Sequence, residues 1–290
     1  MDRHDIAIIG TGPAGVSAAI TATARGKSVL LLGRKGGSEK LTKAAQINNY
    51  PGFYGKSGVE IQRAFSEHLD AMGIEITEGK VGSIYDMGGY FSMAVGSDVM
   101  DADAVILAGG VVFGKPLPGE NEFLGLGVSY CATCDGMLYR GKNAAVLAYD
   151  PGEASEADFL ASIGVNVDYI KLYDGEAGVR EKMNVIEGVK PDSIEGEKTV
   201  TGLVLKNGER LDEDVVFILR QSIAPDKLIS GLELDGSHVK VDRRMRTNIP
   251  GVFAAGDITG TPYQYVKAAG EGNVAALSAV QYLDSRGGKE

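Results

Sequence analysis

Residues 5–33 read DIAIIGTGPAGVSAAITATARGKSVLLLG. A short β-rich run from Asp5 to Ile9 enters the turn GTGPAG, continues into a small-residue helix, and returns as an apolar run ending at Gly33-Arg34. Strand, glycine turn, helix, strand is a βαβ unit. In this G-x-G-x-x-G turn, Gly10 permits the tight bend, Gly12 lets backbone approach a pyrophosphate, and Gly15 lets helix and strand pack closely. The free N–H groups at the helix start then face phosphate oxygens. The bland alternative is a tight βα turn without a ligand, and the flanking strand and helix argue against it. No acidic residue follows the second strand to bind a ribose, which weakens a plain NAD site.

Beyond this unit, strands and helices keep alternating, which predicts an α/β protein with mostly parallel sheets. The 290 residues suffice for two domains with cores of their own. Residues 39–58 are polar and irregular, with NNYPGFYGKSG as loop chemistry. Residues 59–72 read as an amphipathic helix, and 74–107 as several short strands ending in DAVILAGG. The chain leaves this first domain near Lys115-Pro116. A second domain has strands at AAVLAY, VDYIKLY, VTGLVLK and DVVFILR. From about 244, GVFAAGDI and YVKAAGEGNVAALSAVQYL add a strand, a turn and a long helix. The expected architecture is two Rossmann-like, three-layer ββα domains: residues 1–114 with 244–290, and a second, degenerate one at 115–243 inserted into the first.

The formal net charge of -10 argues against nucleic acid as a general partner. No run reaches membrane-spanning length, and the N-terminus does not read as a secretory signal, so the expected location is the cytoplasm.

The stretch TNIPGVFAAGDI, 247–258, sets Gly256 and Asp257 after a strand and before a helix. A carboxylate there can accept hydrogen bonds from sugar-alcohol hydroxyls, or simply cap the helix. With GTGPAG and NNYPG, it points to one FAD site assembled from both ends of the chain. The only cysteines, Cys131 and Cys134, lie in GVSYCATCDGMLYRG. A zinc site needs four ligands, and the only histidines are His4, His68 and His238, so no metal is expected. Two inert buried thiols remain an alternative. A redox pair fits better, because a helix start lowers one thiol pKa and supports thiol–disulfide exchange. Asp135 is placed to supply the proton, or to serve as a turn or cap residue.

On GTGPAG, KGG, NNYPG, YCATCDG, GVFAAGDI and YQYVKAAGEGNVAA, nearly the full chain resembles the low-molecular-weight thioredoxin reductase family. The resemblance implies that Cys131 attacks the thioredoxin disulfide, Cys134 faces the flavin, and Asp135 acts as acid/base. It implies FAD contacts at Gly10, Gly12, Pro13, Ala14, Gly15, Gly33, Arg34, Leu41, Asn49, Val81, Gly256, Asp257, Gln264, Tyr265 and Val266. It further implies a homodimer and a domain rotation that carries the dithiol from flavin to partner. Ser38 replaces a glutamine often found after KGG, and Tyr263 replaces an arginine before Gln264.

Such reductases carry a second glycine fingerprint after the cysteines and a basic cluster that grips NADPH. Here the fingerprint reads AYDPGEAS, where Tyr149, Asp150 and Glu153 put bulk and negative charge where phosphates would sit. Each acid opposes a pyrophosphate by ~1 kcal/mol or more at a partly buried position. The basic cluster is replaced by KLYDGEAGVR. NADPH is therefore not the expected donor. A flavin takes electrons singly or in pairs, so a one-electron carrier can replace a hydride donor. The chain resembles in particular the ferredoxin-dependent flavin thioredoxin reductases of clostridial type. Acidic ferredoxin would dock on a basic patch: Lys240, Arg243, Arg244 and Arg246, or Arg34, Lys35, Lys40 and Lys43, either of which is equally a solvated face. Two alternatives stay open: NADH or NADPH through an unfamiliar site, or a flavin redox sensor without turnover.

Overall fold

The computed structural model describes residues 3–110, 116–130, 132–219 and 224–287. The chain divides into two compact units, Met1–Val112 with Ala224–Glu290, and Phe113–Ile223.

In the first unit, β1 (His4–Ile9), α1 (Pro13–Ala24) and β2 (Val29–Gly33) form the βαβ motif. The small residues of α1 are its buried ones, Ala14, Gly15, Ala18, Ala19 and Ala22 among them, so the helix lies close on the sheet. The short α2 (Glu39–Thr42) precedes the amphipathic α3 (Gly58–Ala71). A capping box starts α3: Ser57 Oγ accepts from Glu60 N, and the Glu60 carboxylate accepts from Ser57 N. Strands β3 (Ile76–Glu78), β4 (Val81–Asp86), β5 (Phe91–Val95) and β6 (Asp98–Leu107) complete a sheet of order β3-β2-β1-β6-β5-β4. β1, β2, β3 and β6 run parallel, while β4 and β5 form an antiparallel flap.

The second unit contains β7 (Val128–Ser129), α4 (Ala132–Asp135), β8 (Asn143–Ala148), α5 (Ala154–Ser162), β9 (Asn166–Lys171) and β10 (Asn184–Ile186). An antiparallel ribbon, β11 (Pro191–Gly196), β12 (Val200–Leu205) and β13 (Arg210–Leu211), precedes β14 (Val215–Leu219). The main sheet is all parallel, in the order β10-β9-β8-β14-β7. β8 and β14 are buried almost throughout, as a parallel strand covered on both faces must be.

The chain then returns to the first unit through α6 (Pro225–Leu228), the hairpin β15 (Leu234–Asp235) and β16 (His238–Val239), β17 (Val252–Ala254) and α7 (Tyr265–Gly287). β17 pairs parallel with β6, and α7 packs along α1. These are the two Rossmann-like α/β units expected from the sequence. The return differs: it comes at 224, not at 244. Ile229 bridges to Ile84 of β4, and Leu228, Ile229, Leu232 and Val239 are buried in the first unit. These elements are two to four residues long and show no hydrophobic period. Among the described residues, no helix is long and apolar enough to cross a membrane.

Candidate functional site

Within the first unit, the GTGPAG turn is built for close approach. A Cβ on Gly15 would lie 1.8 Å from Gly10 O, and one on Gly10 would lie 2.2 Å from Ala108 O. Gly12 is different. A Cβ there would meet only the Ser38 side chain, at 3.6 Å and beyond, so the space above it is open on the protein side. Pro13 stands at the first position of α1, where its missing N–H costs nothing. Gly33 ends β2 against Thr11, whose hydroxyl donates to Arg34 O at 3.0 Å.

Both ends of the chain meet here. Lys40 Nζ donates to Asp257 Oδ2 at 2.5 Å. Tyr265 OH donates to Lys40 O at 3.0 Å, and Asn49 Nδ2 donates to Gln264 Oε1 at 2.6 Å. Gly256 N donates to Glu271 Oε2, and Lys267 Nζ donates to the carbonyls of Gly256 and Gly260. The Lys267–Glu271 pair, one turn apart on α7, thus fixes the backbone around Asp257. Lys267 and Glu271 escaped the sequence reading, for which the i, i+4 opposite charges on α7 were the available signal, and Lys40 was read only as part of a basic patch.

The departures at Ser38 and Tyr263 have local explanations. Leu41 N donates to Ser38 Oγ, so Ser38 serves its own helix turn. Tyr263 OH is 2.7 Å from His238 Nε2, and its ring lies under Lys40 Nζ at 4.9 Å from the centroid.

Not every expected contact residue offers its side chain. Leu41 is fully buried with Ile47 and Ile61. Val81 is buried where β4 pairs with Val95. Arg34 and Val266 are exposed. One further residue points to a ligand. Gln62, 6% exposed, has no hydrogen-bond partner for either amide atom among the described residues. Its amide lies beside Gly37, whose added Cβ would sit about on it, at 2.1 Å. A buried amide without partners is costly, and a polar ligand along this turn would satisfy it. The open cradle at Gly12, the acceptor at Asp257 and the orphaned Gln62 amide fit a dinucleotide with a sugar-alcohol chain.

In the second unit, the turn between β8 and α5 holds its own anion. Asp150 Oδ1 accepts from Gly152 N at 2.9 Å and caps the single 3-10 turn Pro151–Glu153. Ser155 Oγ donates to Gly152 O, and Tyr149 leans on the apolar cluster around Val146's neighbours Ala145 and Leu147. An amide that would greet a phosphate is committed to a carboxylate.

Cys131 lies outside the described residues, and of Cys134 only the backbone, within α4, is described. Around them, Ser129 Oγ donates to Asp135 Oδ2 at 2.7 Å, and Ala132 N donates to Glu156 Oε2 at 3.0 Å. Tyr139 packs edge-on to Phe217, and burial, helped by the charge on Asp135, pushes its hydroxyl pKa up. Among the described residues, no group of three or more His, Cys, Asp or Glu side chains is arranged to hold a metal. Of the two basic patches, the later one is largely paired: Lys240 with Glu233 and Arg246 with Asp242, while Arg244 reaches Gln281.

Comparison with known proteins agrees with this geometry. The sequence profile of the pyridine nucleotide-disulphide oxidoreductases matches residues 4–148 and 176–272. The interruption contains the Asp150 turn, α5 and β9. The chain is 30% identical to a thioredoxin reductase of Bacillus subtilis, over 97% of this chain and 95% of that protein. Among solved structures, a ferredoxin-flavin thioredoxin reductase from Clostridium acetobutylicum is 48% identical, with a TM-score of 0.92 and 99% of each chain covered. A thioredoxin reductase from Gloeobacter violaceus is 29% identical, with a TM-score of 0.83, over 98% of this chain and 95% of that one. The chain belongs to the pyridine nucleotide-disulphide oxidoreductase family, as a flavin oxidoreductase of the thioredoxin reductase type.

Proposed function

We propose that this protein is an FAD-dependent reductase that reduces thioredoxin through Cys131 and Cys134, with electrons from ferredoxin rather than NADPH. The observation that carries the choice of donor is the Asp150 carboxylate on Gly152 N, which puts a fixed negative charge in the turn where a pyridine nucleotide would place its phosphates. The 48% identity to a ferredoxin-flavin thioredoxin reductase supports the same reading.

FAD is held by Gly10, Gly12, Pro13, Ala14 and Gly15 at the pyrophosphate, and by Asp257, Asn49 and Gln264 along the ribityl side, with Gln62 as an added polar contact. Bound there, it supplies the junction between one-electron and two-electron chemistry. Two reduced ferredoxins give one electron each. With two protons, these convert the Cys131–Cys134 disulfide to a dithiol. The Cys131 thiolate then attacks the disulfide of thioredoxin and forms a mixed disulfide. Cys134 resolves it, releasing dithiol thioredoxin and restoring the starting disulfide. Asp135, held by Ser129, passes the proton to the departing thiolate. The unit Phe113–Ile223 acts as the redox-disulfide domain, and the protein works as a cytoplasmic homodimer.

The test is anaerobic reduction of a thioredoxin by the purified protein, with reduced ferredoxin or NADPH as donor. Ferredoxin is expected to bleach the flavin band and generate thioredoxin thiols. Rapid bleaching by NADPH would overturn the donor assignment. Chromatography of the released cofactor distinguishes FAD from FMN.

A further inference from the structure

Tyr263 lies between the Asp257 turn and α7, outside any helix or strand, and it touches a histidine and a lysine from two other parts of the first unit. Its hydroxyl is 2.7 Å from Nε2 of His238 on β16, the one hydrogen bond that either side chain makes among the described residues. Both side chains are partly buried. His238 rests on the turn itself, since a Cβ added to Gly260 would stand 3.9 Å from His238 Cγ. Lys40 Nζ stands over the Tyr263 ring, 4.9 Å from its centroid, and donates to Asp257 Oδ2 at 2.5 Å. His238, Tyr263, Lys40 and Asp257 thus form one chain of contacts. It ends at the carboxylate proposed to meet the ribityl hydroxyls.

The Lys40 side chain is 49% exposed and springs from a helix of four residues. A flexible, half-exposed ammonium keeps one position only where its surroundings hold it. The face of an aromatic ring attracts it, provided the ring itself stays in place. No helix or strand fixes Tyr263, so its hydroxyl bond to His238 sets the ring plane. A cation held near a flavin favours the reduced form, which carries the added negative charge.

We propose that His238 is a positioning residue of the flavin site. Through Tyr263 it keeps the Lys40 charge seated beside Asp257, and the seated charge raises the reduction potential of the flavin. This deepens the reading of Asp257 as a cofactor contact and rests on it.

The test needs neither ferredoxin nor thioredoxin. The flavin-loaded protein is titrated without oxygen against reference dyes of known potential. His238→Leu and Tyr263→Phe each break the hydroxyl bond. Each is expected to lower the equilibrium constant for flavin reduction at least about threefold, roughly 14 mV for a two-electron couple. Lys40→Met lowers it at least as far, and on that background His238→Leu adds nothing. His238→Gln keeps a partner for the Tyr263 hydroxyl and stays near the wild type. A wild-type potential in His238→Leu, an equal fall in His238→Gln, or a further fall of the same size on the Lys40→Met background overturns the proposal. Where His238→Leu does not fold, Tyr263→Phe, alone and combined with Lys40→Met, decides in the same way. If Lys40→Met and Asp257→Asn both leave potential and flavin retention at wild-type values, the flavin does not lie at Asp257, and the reading beneath the proposal falls with it.

Discussion

Asn49 donates to Gln264 across 215 positions of sequence, with 2.6 Å between Nδ2 and Oε1. The loop between α2 and α3 and the approach to α7 are thereby joined at the proposed cofactor site. Lys40 and Asp257 make a second such joint, and the Tyr265 hydroxyl on Lys40 O a third. The site is one surface made from two distant segments, which sets the terms for its predicted sensitivities.

Gly12 and Gly15 should fail differently. Gly12→Ala places a methyl group in space that the protein leaves open, so the thermal midpoint holds while flavin retention drops at least about tenfold. Gly15→Ala forces a methyl group onto Gly10 O and costs roughly 3 kcal/mol or more. Calorimetry together with the flavin-to-protein absorbance ratio separates the two outcomes.

Asp257→Asn removes the acceptor charge proposed to meet the ribityl hydroxyls and leaves Lys40 without its anion. Flavin affinity should fall by about tenfold, read by dilution of the loaded protein and fluorescence of released flavin. Retention equal to wild type would remove Asp257 from the cofactor site.

Cys134→Ser leaves Cys131 able to attack but nothing to resolve the product. The variant should accumulate a mixed disulfide with thioredoxin, visible on a non-reducing gel, and lose turnover by at least about 1000-fold. Cys131→Ser should show the turnover loss without the trapped species.

Glu213 gives a pH signature unrelated to turnover. It is 3% exposed at the start of β14, and burial, with Asp168 adding to it, pushes its carboxyl from the ordinary 4.5 up to about 9. The folded chain thus holds its proton where the unfolded chain releases it. Stability is complete below about pH 4.5 as far as this group is concerned, and it declines as pH rises towards about 9. Glu213→Gln should flatten that decline and add at least about 1 kcal/mol at pH 8, measured by urea unfolding across pH.

Much of the fold was legible because its signals are local. GTGPAG between a strand and a small-residue helix needs no distant partner to be recognised, and neither do the buried parallel strands AAVLAY and DVVFILR. The cysteine pair and its neighbouring acid are equally plain. The return at 224 was not legible. Leu228, Ile229 and Val239 sit in short elements whose only organising force is the sheet edge and hairpin they cover. Lys40 read as one charge of a basic patch, and became the counter-ion of Asp257 only when α2 and β17 were brought together.

From sequence alone follow two nucleotide-type frames, one with its glycines and one without, and a dithiol between them; spacing and side-chain size determine these. Asp150 reaches Gly152 N two residues away, a local turn the sequence itself contains. Tertiary structure decided which distant groups meet. Folding brings Glu156 onto Ala132 N, 24 positions away, and Lys40 onto Asp257, because a polar group inside a packed contact still requires a partner. Partners for such groups are chosen by proximity in space, which no local pattern of residues encodes.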